Sequence, residues 1–144
     1  MSPANASSPH RPQSQEAYVS LCLPLANDET IWLPLMEVSQ LNWEVFTPNV
    51  RSSFCDQNVW VRPWQYRSLE KSMAACQGIV CEAEPDFVRI AATYQKPMLI
   101  LASEMEEETL TEMKKRLSDT IRFLRPAAPR LMAQKMADWA AGLA

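Results

Sequence analysis

Apolar side chains recur along this chain with two kinds of spacing, and together they predict a mixture of strands and helices. Short apolar or alternating runs predict strands at 17–25, 30–35, 42–47, 87–94 and 97–102. Steps of three or four residues predict helices at 63–80, at 104–124 and from Pro129 onward. We therefore predict an α+β fold, in which a mainly antiparallel sheet of about four to six strands packs against two longer helices and a C-terminal amphipathic helix.

The clearest pattern lies between residues 96 and 124, where a strand is predicted to lead into a long helix. The run 98–101 is apolar throughout, which indicates a buried strand, and Ser103 with Glu106 fits a capping box at a helix start. The apolar residues that follow predict one buried stripe: Leu110, Met113, Leu117, Ile121 and Leu124. The short polar turn between 87–94 and 97–102 predicts that these two strands pair antiparallel.

Composition changes sharply near residue 16, and this divides the chain into a tail and one domain. Residues 1–15 are rich in Ser, Pro, Asn and Gln, so we expect a disordered N-terminal tail. Residues 16–144 have the length of a single α+β domain. The chain shows neither a secretory signal nor an apolar run long enough for a bilayer, so we expect a cytoplasmic protein without a membrane partner.

Scarce glycine and histidine exclude several kinds of chemistry. Gly78 and Gly142 are the only glycines of the sequence, so a glycine-rich phosphate loop or dinucleotide fingerprint cannot be built. The single histidine, His10, lies in the predicted tail, which argues against Ser-His-Asp or Cys-His catalysis and against a catalytic zinc site. We therefore predict no cofactor, no metal and no catalytic residue.

Charge is uneven along the chain, but it does not predict nucleic-acid binding. The net charge is −3; residues 1–109 carry 7 basic and 14 acidic side chains, whereas 110–144 carry 7 basic and 3 acidic ones. The basic residues of the second part complement the C-terminal end of the predicted helix at 104–124 and are mixed with acids. A phosphate-binding surface has a denser basic patch, so nucleic acid is not the expected partner.

Four of the five tryptophans lie between residues 32 and 64, and three residues of this region are candidates for an interaction surface. Trp60, Arg62 and Trp64 follow one another at every second position. Tryptophan is common in cores, so a buried aromatic cluster is one interpretation. The other is a surface that binds a partner or stacks on bases, although two nearby arginines, Arg51 and Arg62, are few for nucleic acid.

The C-terminal helix carries the leading candidate for partner binding. Met132, Met136, Trp139 and Leu143 form an apolar ridge with steps of four, three and four residues. Methionine suits adaptable contact surfaces, and tryptophan is frequent among residues that dominate binding energy. Three occupants of this ridge stay open, namely the chain's own sheet, a second copy of the chain, and a different protein.

These patterns favour a non-enzymatic regulator or adaptor that binds another protein, for example as an inhibitor, anti-activator or chaperone, as a homodimer. In size and acidity the chain resembles secretion chaperones and regulatory adaptors. One alternative is a thiol-based redox-responsive protein using Cys76 and Cys81, which lie five residues apart. Another alternative is a small enzyme that relies on carboxylates and arginines.

Overall fold

The computed structural model describes residues 17–24, 32–37, 41–102, 108, 111–112, 115, 121–125 and 128–143. The strands are β1 Tyr18–Cys22, β2 Asn42–Thr47, β3 Phe54–Asp56, β4 Val59–Pro63, β5 Gly78–Glu82, β6 Met98–Leu101 and β7 Ile121–Leu124. The helices are α1 Tyr66–Ala75, α2 Pro85–Ala92 and α3 Pro129–Ala141, with a 3₁₀ helix at Leu33–Glu37. The predicted tail 1–15, and most of the predicted stripe after Ser103, lie outside the described residues.

One seven-stranded sheet forms the centre of the protein, in the order β3-β4-β2-β1-β5-β6-β7. The α+β composition is confirmed, but the prediction of an antiparallel sheet with four to six strands is wrong. Every described pair is parallel except β3 with β4. Taken in chain order, the six parallel strands lie across the sheet as 3-2-1-4-5-6, which is the order of doubly wound nucleotide-binding sheets.

The antiparallel prediction was wrong chiefly because α2 was taken for a strand. Glu84 accepts hydrogen bonds from the backbone N–H groups of Asp86 and Phe87, and Pro85 occupies the first helical turn, so a helix starts here. Phe87, Val88 and Ala91 are its buried residues. With a helix between them, β5 and β6 form a parallel crossover rather than a hairpin, and both strands are buried along their whole length.

Three further elements differ from the sequence prediction. The run 30–35, predicted as a hairpin strand, contains Trp32 and the start of the 3₁₀ helix, and β1 instead pairs with β2 and β5. The predicted helix 63–80 ends at Ala75, because Gly78 begins β5. Ile121 and Leu124, predicted to lie in the helical stripe, belong to the edge strand β7. Residues 108, 111, 112 and 115 are helical and exposed, as predicted for a polar face.

Helices cover both faces of the sheet and produce two separate cores. On the α1/α2 face, side chains from the strands pack against Leu69 and Met73 of α1 and against Phe87 of α2. On the α3 face, Met132 and Met136 of α3 join Trp32, Leu35 and the opposite side of the strands. Successive strand residues alternate between the two faces, so each strand contributes to both cores.

Candidate functional site

Strand β4 and the residues after it place a row of large polar and aromatic side chains on the α1/α2 face. We call Trp60, Arg62, Trp64 and Tyr66 the β4 row. Trp60 and Arg62 lie on the same side of the strand because they are two residues apart. Trp60, Arg62 and Trp64 are half-buried, and Tyr66 at the start of α1 is 59% exposed. The row therefore joins the core to the surface, and neither interpretation of the tryptophans applies in full.

Arg62 is fixed between aromatic rings. Its guanidinium carbon lies 4.3 Å from the centroid of the Trp60 ring and 5.4 Å from that of Phe46. Both distances fall within the range of cation–π contacts, which favour a charge over the face of an aromatic ring. Its side chain is 24% exposed, so the guanidinium lies close to the surface.

A buried carboxylate holds Arg62 from the interior of the protein. Glu44, in the middle of β2, is only 2% exposed and accepts a hydrogen bond from Arg62 Nη1 at 2.9 Å. Ser72 of α1 donates to the other Glu44 oxygen at 2.7 Å and is also hydrogen-bonded to Ser20 of β1. We call Ser20, Glu44, Arg62 and Ser72 the polar network. It connects three strands and one helix across the α1/α2 face.

The outer end of the β4 row is aromatic. Trp64 packs edge-on against Tyr66 with a centroid distance of 6.0 Å, and against Phe87 of α2 at 5.3 Å. Arg62 Nη2 also reaches Ser68 at 3.2 Å, and Ser68 donates to Gln65 at 2.8 Å, so the start of α1 is tied to the row. Within the β4 row, Tyr66 has the largest exposed fraction.

The charge and burial of this site suit contact better than catalysis. The negative charge of Glu44 balances the positive charge of Arg62, so the pair carries no net charge toward a phosphate. Ser72 donates to one Glu44 oxygen, and the other Glu44 oxygen already accepts from Arg62. Ser20 and Ser72 are 0% and 2% exposed, which keeps a substrate away from both hydroxyls. This arrangement gives no support to the alternative of an enzyme based on carboxylates and arginines.

The C-terminal ridge lies on the protein's own sheet. Met132 and Met136 are buried in the α3 core, and Trp139 and Leu143 are half-buried. The fit is close at β5, where a Cβ on Gly78 would lie 2.5 Å from Leu143 Cδ1 and 3.0 Å from the Trp139 ring. The sequence left three surfaces open as cover for this ridge. Within one molecule, the chain's own sheet covers it. Binding of a partner by the ridge stays a prediction.

The cysteines lack the properties of a redox switch. Cys22, Cys55, Cys76 and Cys81 are all free thiols and all buried. Burial is the main cause that raises the pKa of Cys76, and burial together with nearby Glu82 raises the pKa of Cys81 to about 12. A reactive thiol needs a lowered pKa and exposure, so these values disfavour the Cys76/Cys81 alternative.

The carboxyl ends of β1 and β5 meet where the strand order reverses, which is the usual ligand crevice of such sheets. Here Glu84 caps the start of α2 with its own carboxylate, at 3.3 Å from the Asp86 nitrogen and 2.7 Å from that of Phe87. An anionic ligand would have to displace this carboxylate from the helix N-terminus. Within the described ranges no three His, Cys, Asp or Glu side chains are grouped to hold a metal ion.

No family model matches the chain, and a comparison with curated proteins finds no significant relative. Among the described helices, none is both long and apolar enough to cross a bilayer.

Sequence reasoning selected Trp60, Arg62 and Trp64 but missed the residues that organise them. Glu44, Ser20 and Ser72 were not singled out. A signal was present, because Glu44 is the one charged residue in the strand sequence Asn42–Thr47 and Arg62 is the one charged residue in Val59–Pro63. Two opposite charges inside apolar strands indicate a paired buried site when the strands are neighbours. Residues 59–63 were not predicted as a strand, so their pairing with β2 was missed.

Proposed function

We propose that this protein is a regulator or adaptor of the cytoplasm that binds another protein through the β4 row. The observation that carries the proposal is the composition of the row, with two tryptophans, one arginine and one exposed tyrosine in contact. Trp, Tyr and Arg are the residue types that most often dominate the energy of protein interfaces. Four free thiols also fit a reducing compartment.

A protein partner fits this surface better than a single-stranded nucleic acid does. Both kinds of partner use aromatic rings and arginine, but nucleic acids also require uncompensated positive charge along the backbone path. In the β4 row the single cation is paired with Glu44. The chain as a whole carries a net charge of −3, which repels polyanions.

A second candidate is self-association through the outer surface of α3. Leu131 on α3 is 50% exposed, and Leu33 on the adjoining 3₁₀ helix is 43% exposed. Arg130 joins the two elements by an ion pair with Glu37 at 3.1 Å. Homodimerisation through these leucines would let the C-terminal helix mediate association, as predicted, while its methionines remain in the core.

Affinity capture with matched variants separates the two candidates. The tagged wild-type protein, Tyr66→Ala and Leu131→Ala are each used to retain proteins from an extract of the source cell. Both altered residues are at least half exposed, so both variants should fold. Loss of the retained proteins with Tyr66→Ala, and not with Leu131→Ala, is the expected result. The reverse pattern, or a dimer that becomes a monomer with Leu131→Ala in light scattering, would favour α3.

A further inference from the structure

The ion pair between Glu44 and Arg62 lies where an apolar pair would fill the space as well. Its neighbours on this face include Cys22 and Phe46, both fully buried, and Glu44 itself is 2% exposed. A buried ion pair loses hydration on both partners, and well-packed apolar replacements of similar volume are often equally stable or more stable. Stability alone therefore does not account for a carboxylate in the middle of a central strand.

The geometry of the network acts on one group, the Arg62 guanidinium. Its two terminal nitrogens donate hydrogen bonds to Glu44 and Ser68 at 2.9 and 3.2 Å, and its central carbon lies 4.3 Å from the centroid of the Trp60 ring. Ser72, hydrogen-bonded to Ser20, holds the second oxygen of Glu44 and so fixes the carboxylate that fixes the arginine. A guanidinium held in this way loses little side-chain entropy when another molecule contacts it.

The pairing also determines which chemistry Arg62 offers to a partner. Two of its five N–H donors are used by Glu44 and Ser68, and its Nε is buried with no hydrogen-bond partner among the described residues. Because Glu44 balances the charge, Arg62 acts as an oriented donor rather than as a free cation. Such a group suits a neutral acceptor, such as a backbone carbonyl, next to an apolar side chain that packs on the tryptophans.

We propose that Glu44 is a positioning residue, which holds the Arg62 guanidinium over the Trp60 ring so that the β4 row contacts an uncharged peptide segment of a partner protein. This inference rests on the proposed function, because it assumes that the β4 row is the contact surface. It adds that the buried side of the polar network serves binding rather than folding.

The test replaces the whole pair, so that neither charge is left buried without its partner. The double variant Glu44→Leu with Arg62→Met is compared with the wild type in thermal unfolding and in peptide binding. Glu44→Gln, which keeps Arg62 but removes its counter-charge, is measured in the same way and should also bind the peptides more weakly, whereas wild-type binding by Glu44→Gln would overturn the positioning role. The probes are 12-residue peptides, selected on the wild-type protein from a random phage-displayed library and measured by fluorescence anisotropy. The control exchanges the exposed pair in the same way, with Glu37→Leu and Arg130→Met, where the side chains are 58% and 81% exposed.

We expect the double variant to unfold within a few degrees of the wild type or above it, and to bind the peptides at least about tenfold more weakly. The control should bind as the wild type does. Unchanged peptide binding in the stable double variant would overturn the inference. A double variant that fails to fold would overturn it too, because the pair would then be structural.

The same peptides reveal separately whether the proposed function fails. They are also measured against Tyr66→Ala, whose change lies on the β4 row but outside the polar network. Peptides that bind Tyr66→Ala as tightly as the wild type do not contact the row, and in that case both the location of the interface and the role of Glu44 are rejected. If the peptides no longer bind Tyr66→Ala but bind the double variant as they bind the wild type, only the role of Glu44 is rejected.

Discussion

The two faces of the sheet are built from the same strands, yet they differ in chemistry. In the middle of β1, β2, β4 and β5 the α3 face carries apolar residues, such as Leu21, Val45 and Val80, and its buried polar residues Thr47 and Glu82 lie at strand ends. The α1/α2 face has Ser20 and Glu44 in the middle of its central strands. One face is therefore specialised for packing, and the other combines packing with an oriented polar site that extends to the surface.

The largest effect is expected on the α3 face. Met136→Ala should lower the free energy of unfolding by about 2–5 kcal/mol, because Met136 is fully buried between α3 and the sheet. Urea denaturation monitored by circular dichroism measures this change. Leu131→Ala, on the exposed side of the same helix, serves as the control and should change stability by less than about 0.5 kcal/mol. Equal effects of both changes would mean that α3 is not part of the core.

On the other face, breaking the ion pair from one side should cost less. Glu44→Gln keeps the shape of the side chain but leaves Arg62 without its counter-charge. Because Arg62 is 24% exposed and water can solvate it in part, we expect a loss of roughly 1–3 kcal/mol. Asp86→Asn, in the exposed pair with Arg89, is the control and should have no measurable effect. A Glu44→Gln variant as stable as the wild type would show that the network is not closed in solution.

The contact of α3 with β5 can be tested by filling the space above a glycine. Gly78→Ala should destabilise the protein by about 1–3 kcal/mol, since the new methyl group meets Leu143 and the Trp139 ring. Leu143→Ala should restore part of this loss in the double variant, which thermal unfolding can measure. Additive losses would place the end of α3 away from Gly78.

A smaller effect follows from the buried thiols. The pKa of Cys81 is about 12 in the folded protein and lies near 9.0 when the thiol is exposed, so the unfolded chain releases this proton first as the pH rises. Stability should therefore not depend on this thiol below pH 9 and should decline above it, by at most ~1.4 kcal/mol between pH 9 and 10 for each such thiol. Urea midpoints between pH 7 and 10 test this. The decline should be shallower in Cys81→Ala, and an equal decline would assign it to other groups.

The smallest effect on stability belongs to the surface of the β4 row. Tyr66→Ala should change the free energy of unfolding by no more than about 0.5 kcal/mol, because most of the ring is exposed. Chemical denaturation measures it. If the free energy of unfolding falls by more than about 2 kcal/mol, Tyr66 supports the packing of Trp64. Tyr66 would then be a structural residue, and its proposed role in partner binding would be wrong.

The positions of strands and helices were predictable where one hydrophobic pattern dominated. The number of strands in the sheet and their directions were not predictable. The run Met98–Leu101 and the strand Asn42–Thr47 were identified correctly, because the first is a short apolar run and the second is rich in aromatic and β-branched residues and is followed by Pro48. The eight residues of α2 fit both alternation and a helical period, and only Glu84 and Pro85 distinguish them. That assignment produced the predicted hairpin of 87–94 with 97–102 in place of the crossover from β5 through α2 to β6, and β5 itself was missed because residues 78–80 were assigned to the preceding helix.

Part of the candidate site was predictable from composition, and the rest depends on which elements lie next to each other in the fold. Trp60, Arg62 and Trp64 attract attention through composition, which a sequence displays directly. Glu44, Ser20 and Ser72 matter only through their positions on neighbouring elements, and pairing across 52 residues between Ser20 and Ser72 leaves no local pattern. The apolar ridge on α3 was visible as well, but periodicity reports that a helix buries one side and not which surface covers it.

The central place of β1 has a consequence for how the protein folds. β1 is the first described strand, yet it lies in the middle of the sheet and must pair with β2 and with β5, which follows α1. Parallel pairing at such sequence distance requires loop closure before any contact stabilises it, which slows the search for the native state. Until β5 docks, the backbone N–H and C=O groups along one edge of β1 stay unpaired. We therefore expect refolding in milliseconds to seconds rather than microseconds, with aggregation competing at high protein concentration.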